Sequence, residues 1–153
     1  MLKIDLHTHI LPKQWPDLSD RYGEGQWVRL EHHQSCCAKM MIGDEFFREI
    51  ESNCWDPVIR MKDGDRTGVR VQVLSTVPIM FSYWSKAEHA LDLSRILNDH
   101  IAGVVANHPG RFIGLGTVPM QSPKLAIKEL ERCVQELGMP GLQIGTNVNG
   151  ANL

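Results

Sequence analysis

His7 and His9 flank Thr8 at the end of the first apolar run of the chain. In an extended segment, residues two apart point to the same side, so both imidazoles can converge on one cation beyond the run's carboxyl end. With 7 histidines in 153 residues, chance alone supplies roughly 0.3 such pairs, so the spacing decides little by itself. Position adds weight, because ligands and metals in parallel α/β folds sit at the carboxyl ends of strands. Asp5 and His7 also make this a costly strand unless something binds them. Two imidazoles do not complete a catalytic zinc site, which uses three or more protein ligands and an open position. The remaining histidines offer no obvious help. His32 and His33 point to opposite faces of a strand and read as solvent-exposed, while His89, His100 and His108 sit on or just after a helix and read as structural.

Arg48 follows Phe46 and Phe47. A planar guanidinium beside two large apolar residues suits a bidentate carboxylate clamp, and it equally suits a surface salt bridge; the residues alone leave both open. Met80, Phe81, Tyr83 and Trp84 follow a second apolar run and could wall an apolar pocket at a strand's carboxyl end, or simply pack a loop. No GxGxxG, GxxxxGK[ST] or GxSxG pattern occurs, so nucleotide binding and serine-hydrolase chemistry have no support.

The elements that must position these residues alternate between short apolar runs and amphipathic segments, which predicts a parallel sheet covered by helices. The expected strands are Leu2 to Leu6, Val69 to Thr76, Phe112 to Val118 and Gly141 to Thr146, and their near-continuous hydrophobicity predicts burial on both faces. A helix is expected from Lys86 to Asn107, with Ser85 as N-cap, Glu88 completing a capping box and Pro109-Gly110 ending it. A second is expected from Pro123 to Leu137, capped by Ser122, with Leu125, Leu130, Cys133, Val134 and Leu137 facing the sheet. A third, shorter helix runs from Pro57, with Asp56 as cap, to Thr67. Residues 15–51 break the alternation. Trp27 to His33 and Lys39 to Arg48 read as strands, the latter folded about an Ile42-Gly43-Asp44-Glu45 turn, which makes a small β-rich insertion after the first strand. Residues 1–153 thus read as one domain with 15–51 inserted in it.

A chain with 42% hydrophobic and 22% charged residues can bury a core. A net charge of -2 gives no footprint for nucleic acid or an anionic membrane. The first ten residues are broken by Lys3, Asp5, His7 and His9 and form no signal-peptide core, so the chain reads as soluble and intracellular. Cys36, Cys37, Cys54 and Cys133 form no CxxC pair and read as reduced thiols.

Five stretches carry a family resemblance: MLKIDLHTHILPKQWPDL at 1–18, NCWDP at 53–57, VQVLSTVPIMFSYW at 71–84, RFIGLGTVPMQSP at 111–123 and ERCVQELGMPGLQIGT at 131–146. In this order they resemble the aminocarboxymuconate-semialdehyde decarboxylase family of the amidohydrolase superfamily. The resemblance implies the amino-terminal half of a (β/α)8 TIM barrel, with about four parallel strands and a small β-rich insertion after strand 1. It implies one zinc ion held by His7 and His9 together with two later histidines and an aspartate, and a substrate-binding role for Arg48. The implied reaction is nonhydrolytic decarboxylation of 2-amino-3-carboxymuconate 6-semialdehyde, a small molecule, to 2-aminomuconate 6-semialdehyde, in the cytosol and in a homodimeric enzyme. In tryptophan breakdown by the kynurenine route, this draws material away from quinolinate. Loss of carbon dioxide leaves negative charge on carbon, which a nearby cation stabilises.

The departures are as informative. The family's other zinc ligands and its proton-transfer histidine lie on later strands and map to nothing before Leu153, so the catalytic residue is unknown here. An eight-stranded barrel takes about 250 residues, which makes this chain roughly half of one. Inactivity of the chain alone is therefore expected, with activity belonging to the complete barrel. The alternatives are a non-catalytic form that pairs with a full-length subunit, and another decarboxylase or hydrolase of the same superfamily.

Overall fold

A computed structural model describes residues 1–153. Strand β1 (Lys3–His9) leads through a short helix α1 (Leu18–Tyr22) into β2 (Val28–Gln34), β3 (Cys37–Ile42) and β4 (Glu45–Glu51). Helix α2 (Pro57–Thr67), strand β5 (Val69–Ser75), helix α3 (Ala87–Asn107), strand β6 (Phe112–Gly114) and helix α4 (Pro123–Gln135) follow. A two-residue hairpin, β7 (Asn147–Val148) and β8 (Ala151–Asn152), closes the chain. Strands β1, β5 and β6 form a parallel sheet in that order, and β2, β3 and β4 a separate antiparallel meander. The parallel strands with their crossover helices occupy successive positions of a (β/α)8 barrel. No helix is long and apolar enough to cross a membrane.

Local chemistry explains most boundaries. Helix α2 starts where the Asp56 carboxylate accepts from the backbone N–H groups of Val58 and Ile59, at 2.8 and 3.2 Å, with Pro57 in the first turn. It stops at Gly68, which takes the left-handed conformation at φ +76°. Helix α3 departs from expectation at its start. Lys86 is the N-cap and makes no side-chain cap, because the Ser85 hydroxyl donates to the Ser82 carbonyl instead.

The third and fourth expected strands are shorter than their apolar runs. Pairing of β6 with β5 ends at Gly114, after which the fourth run joins only through a parallel bridge from Gly116 to Leu142. Gly116 donates to the Gly141 carbonyl at 3.0 Å and accepts from Gln143 N at 2.9 Å. A Cβ on Gly116 would lie 2.7 Å from Cys133 Sγ and 3.0 Å from Leu142, so only glycine lets α4 and the fourth run approach here. The face of α4 is also corrected. Ala126, Glu129 and Cys133 are buried, while Leu130 and Val134 are exposed. A carboxylate, not a leucine, occupies the centre of the packed face because two arginines and an amide neutralise it.

Burial on both faces does not hold for β1 either, since Ile4 and Leu6 are 45% and 72% exposed. The core divides in two. One cluster joins Leu11, Trp27, Met40 and Trp55 to Leu93 and Leu97 of α3; the other joins Ile10, Leu74, Phe112 and Cys133 to Ile101 and Val104 of the same helix. Ile10 and Leu11, directly after the histidine pair, thus anchor into different cores. The exit of β1 is fixed from both sides.

Candidate functional site

Both histidines lie within β1, which runs three residues further than its apolar run because Thr8 and His9 pair with Leu74 and Ser75 of β5. Their rings meet edge to face with centroids 4.8 Å apart, as expected for i, i+2 residues on one side of a strand. His7 is exposed and its backbone N–H donates to the Asp5 carboxylate at 3.3 Å. His9 is half-buried. Its Nδ1 lies 3.1 Å from the Ser75 hydroxyl, which also donates to the Thr8 carbonyl at 3.0 Å. Burial, then the neighbouring His7, pushes the His9 imidazole below its ordinary range, with a backbone hydrogen bond at Thr76 opposing. A base kept neutral suits metal ligation, which needs the unprotonated ring.

Arg60 of α2 fastens the same strand end. It donates to the His9 carbonyl and, through Nε, to the Asn53 carbonyl at 2.9 Å. The backbone of Leu11 adds a bond to the Cys54 carbonyl at 3.1 Å. Neither Arg60 nor Ser75 was among the sequence candidates. Aligning the carboxyl ends of the first two apolar runs sets Leu6 beside Thr76, and only the extension of β1 to His9 brings Ser75 opposite it.

The loop after β5 builds a wall. Phe81, Tyr83 and Trp84 line a cleft of about 700 Å³ together with His7, Ile42 and Ile144. Met80 instead enters the core under the meander. Buried Ser82 sits at φ +51°, a conformation that an L residue adopts only when its surroundings impose it. Trp84 closes against Trp27 at 4.7 Å between ring centroids. A Cβ on Gly25 would fall 2.4 Å from the Trp84 ring, so the loop before β2 needs glycine there to receive it. Across the cleft, the Gly145 backbone N–H donates to the Tyr83 hydroxyl oxygen at 3.2 Å.

Arg48 does not line this cleft. It lies exposed on β4, opposite Met40, with its guanidinium 4.6 Å from the Phe47 ring centroid. Its charge nevertheless reaches Cys54, where it and Arg60 oppose the burial that raises the thiol. Cys133 is walled into the second core and burial pushes its thiol up to about 12, which makes it packing and not a nucleophile. His7 and His9 could hold a metal as a pair of neutral nitrogen donors, yet no third histidine, cysteine, aspartate or glutamate joins them. The donors fit a divalent ion in kind, and supply only part of a coordination sphere.

A family profile described as Amidohydrolase matches residues 4–153. The chain belongs to the amidohydrolase family. A 2-amino-3-carboxymuconate-6-semialdehyde decarboxylase from Dictyostelium discoideum is 64% identical over 99% of the chain, and one from Caenorhabditis elegans is 35% identical over 95%. The chain spans 42% and 41% of these relatives, about two fifths of their length. Among solved amidohydrolase structures, the dihydroxybenzoic acid decarboxylase from Polaromonas sp. JS666, with bound manganese and the inhibitor 2-nitroresorcinol, superposes with a TM-score of 0.64. That likeness is at 26% identity and covers 92% of this chain and 37% of the other. Family relatives of this kind are decarboxylases, and the structural relative carries a divalent metal.

Proposed function

We propose that these residues form the metal-facing and substrate-orienting part of a zinc-dependent carboxy-lyase. Its reaction converts 2-amino-3-carboxymuconate 6-semialdehyde to 2-aminomuconate 6-semialdehyde without hydrolysis. The observation that carries this reading is the pairing of His9 with His7, 4.8 Å between ring centroids, where His7 lines an aromatic-walled cleft. The name of the Dictyostelium relative supplies the substrate.

Each part of the arrangement has a role in that chemistry. His7 and His9 hold the cation as neutral imidazoles. A divalent ion held by this pair would supply positive charge to stabilise the carbanion left by loss of carbon dioxide. Phe81, Tyr83 and Trp84 cover a flat conjugated substrate and keep water away from it. Arg48, exposed on β4 and outside the cleft lining, offers a guanidinium to the substrate's carboxylates, and residues 15–51 are the insertion that carries it.

With two donors, zinc binding by the chain alone is weak. A four-ligand zinc site is worth about 10–16 kcal/mol, so half of it gives roughly 5–8 kcal/mol, or micromolar to sub-millimolar dissociation. The ion should be lost on gel filtration and the semialdehyde absorbance should not decay. Stoichiometric retained zinc with turnover would overturn this account.

A chimera in which the remaining residues of the Dictyostelium relative follow residue 153 tests the substrate. It should consume the semialdehyde and leave 2,6-dihydroxybenzoate untouched; the reverse preference would assign the chain to the aromatic-acid decarboxylases that the Polaromonas structure represents. In that chimera Arg48→Ala should raise KM and lower kcat/KM, and unchanged kinetics would remove Arg48 from the site.

A further inference from the structure

Ser75 occupies an unusual position for a serine in an apolar strand. It is 3% exposed, the cross-strand partner of His9, and its hydroxyl reaches two groups at once. One is the Thr8 carbonyl at 3.0 Å and the other is His9 Nδ1 at 3.1 Å.

A serine hydroxyl has one proton to give and lone pairs to receive with. The Thr8 carbonyl can only accept. If that bond is made, the Ser75 proton is committed to it, and the contact with His9 is satisfied only when Nδ1 carries a hydrogen and donates it to Oγ. A neutral imidazole with Nδ1–H has its free lone pair on Nε2, the nitrogen farther from the strand. Besides Ser75, only the Thr76 backbone hydrogen-bonds the His9 ring, and no side chain engages Nε2.

We propose that Ser75 is a positioning residue that locks His9 in the Nδ1–H tautomer and leaves Nε2 as its metal-binding atom. His7 has no such partner on its ring, so the two members of the pair differ: His9 is pre-set, while His7 must select its tautomer when the ion arrives. Arg60, bonded to the His9 carbonyl, fixes the backbone, and Ser75 fixes the ring. Ser75 does not touch the ion or the substrate. Its effect passes through a hydrogen bond behind the ligand, and partners of this type alter metal affinity typically by roughly 10- to 100-fold.

The metal-binding half of this inference rests on the proposed function; the tautomer half stands on hydrogen bonding alone. The two are separated by long-range 1H–15N spectra of the metal-free chain, labelled at histidine and recorded at about pH 7.5, above the ordinary imidazole range. His9, assigned by its loss in His9→Gln, should show a protonated Nδ1 and an unprotonated Nε2. An Nε2–H pattern in the unmutated chain overturns the proposal without recourse to any variant. Ser75→Ala should populate both tautomers, and Ser75→Thr, which keeps the hydroxyl, should restore one; a spectrum unchanged in Ser75→Ala also overturns it. Zinc is then titrated into the same samples. Selective shifts at His9 Nε2, with roughly 10- to 100-fold weaker binding in Ser75→Ala than in Ser75→Thr, support the whole inference. Should the Nδ1–H form be present while zinc moves neither His7 nor His9, the metal reading fails and Ser75 retains only its tautomeric role.

Discussion

The two cores are sealed in different ways. The cluster beneath the meander is apolar throughout, with Trp27, Met40, Trp55, Leu93 and Leu97 all at or below 5% exposure. The cluster beneath the parallel sheet is smaller and is closed on its α4 side by charge. Glu129, with no exposed surface, accepts from Asn98 at 2.8 Å, from Arg132 at 2.8 Å and from Arg95 at 3.3 Å. Asn98 in turn holds both backbone groups of Thr117, at 2.9 and 2.8 Å, just beyond β6. The first core gains stability from area removed from water and loses it gradually with volume. The second depends on a buried carboxylate whose partners must all be present. Helix α3 contributes to both, so the strand end carrying His7 and His9 is held between an adaptable support and a brittle one.

The comparison predicts unequal responses. Glu129→Ala removes the buried carboxylate that Asn98, Arg132 and Arg95 share, leaving Asn98 its bond to the Thr117 carbonyl and half-buried Arg132 its bond to Asp99, and should cost about 3–5 kcal/mol in urea denaturation. Glu129→Gln keeps the acceptor oxygen for Asn98 and should cost less. A loss below 1 kcal/mol for the alanine would mean that the charge cluster is relaxed by water and that the two cores do not differ in kind. Met40→Ala, at a residue 1% exposed, should cost about 2–3 kcal/mol, toward the low end for methionine, because its neighbours can partly close the void. Both variants should unfold in one transition, since α3 spans the two clusters; two separate transitions in Met40→Ala would show that the cores are independent.

The same contrast explains what could be read from the sequence. Periodic apolar residues declared α2, α3 and α4 within one or two residues, and the Gly43-Asp44 turn declared the β3–β4 hairpin. The pairing of His7 with His9 followed from strand geometry alone. What failed were the polar decisions. Glu129 and Asn98 carry no apolar signature, so apolar periodicity points to Leu130 and Val134 for the face that the carboxylate occupies. Ser85 looked like a cap and bonds elsewhere, because the φ +51° turn at Ser82 presents a nearer carbonyl. The third and fourth strands fall short of their apolar runs because hydrophobicity reports burial and not ladder pairing, and residues 116–118 are buried without extending β6. Arg60 is invisible for the same reason as Glu129: its value lies in which carbonyls it reaches, and the decisive one, at His9, lies 51 residues away.

The smallest expected effect lies at the seam between the cores. His100 of α3 precedes Ile101, which belongs to the sheet-side core, and its ring reaches the backbone of Leu11, which belongs to the other. Burial lowers its pKa below the ordinary 6.5, and its Nε2 has no hydrogen-bond partner. The unfolded chain therefore binds the proton more readily than the folded one, so stability rises with pH across this window. The contribution is fully present above about pH 6.5 and is lost as pH falls toward the lowered folded value. His100→Gln, which cannot titrate, should flatten the dependence of the urea midpoint between about pH 5 and 7 while leaving the value at about pH 8 nearly unchanged. Part of the slope should remain, because His9 is shifted in the same direction by burial. A full, unaltered slope in His100→Gln would place the pH response at His9 and leave the seam between the cores electrically silent.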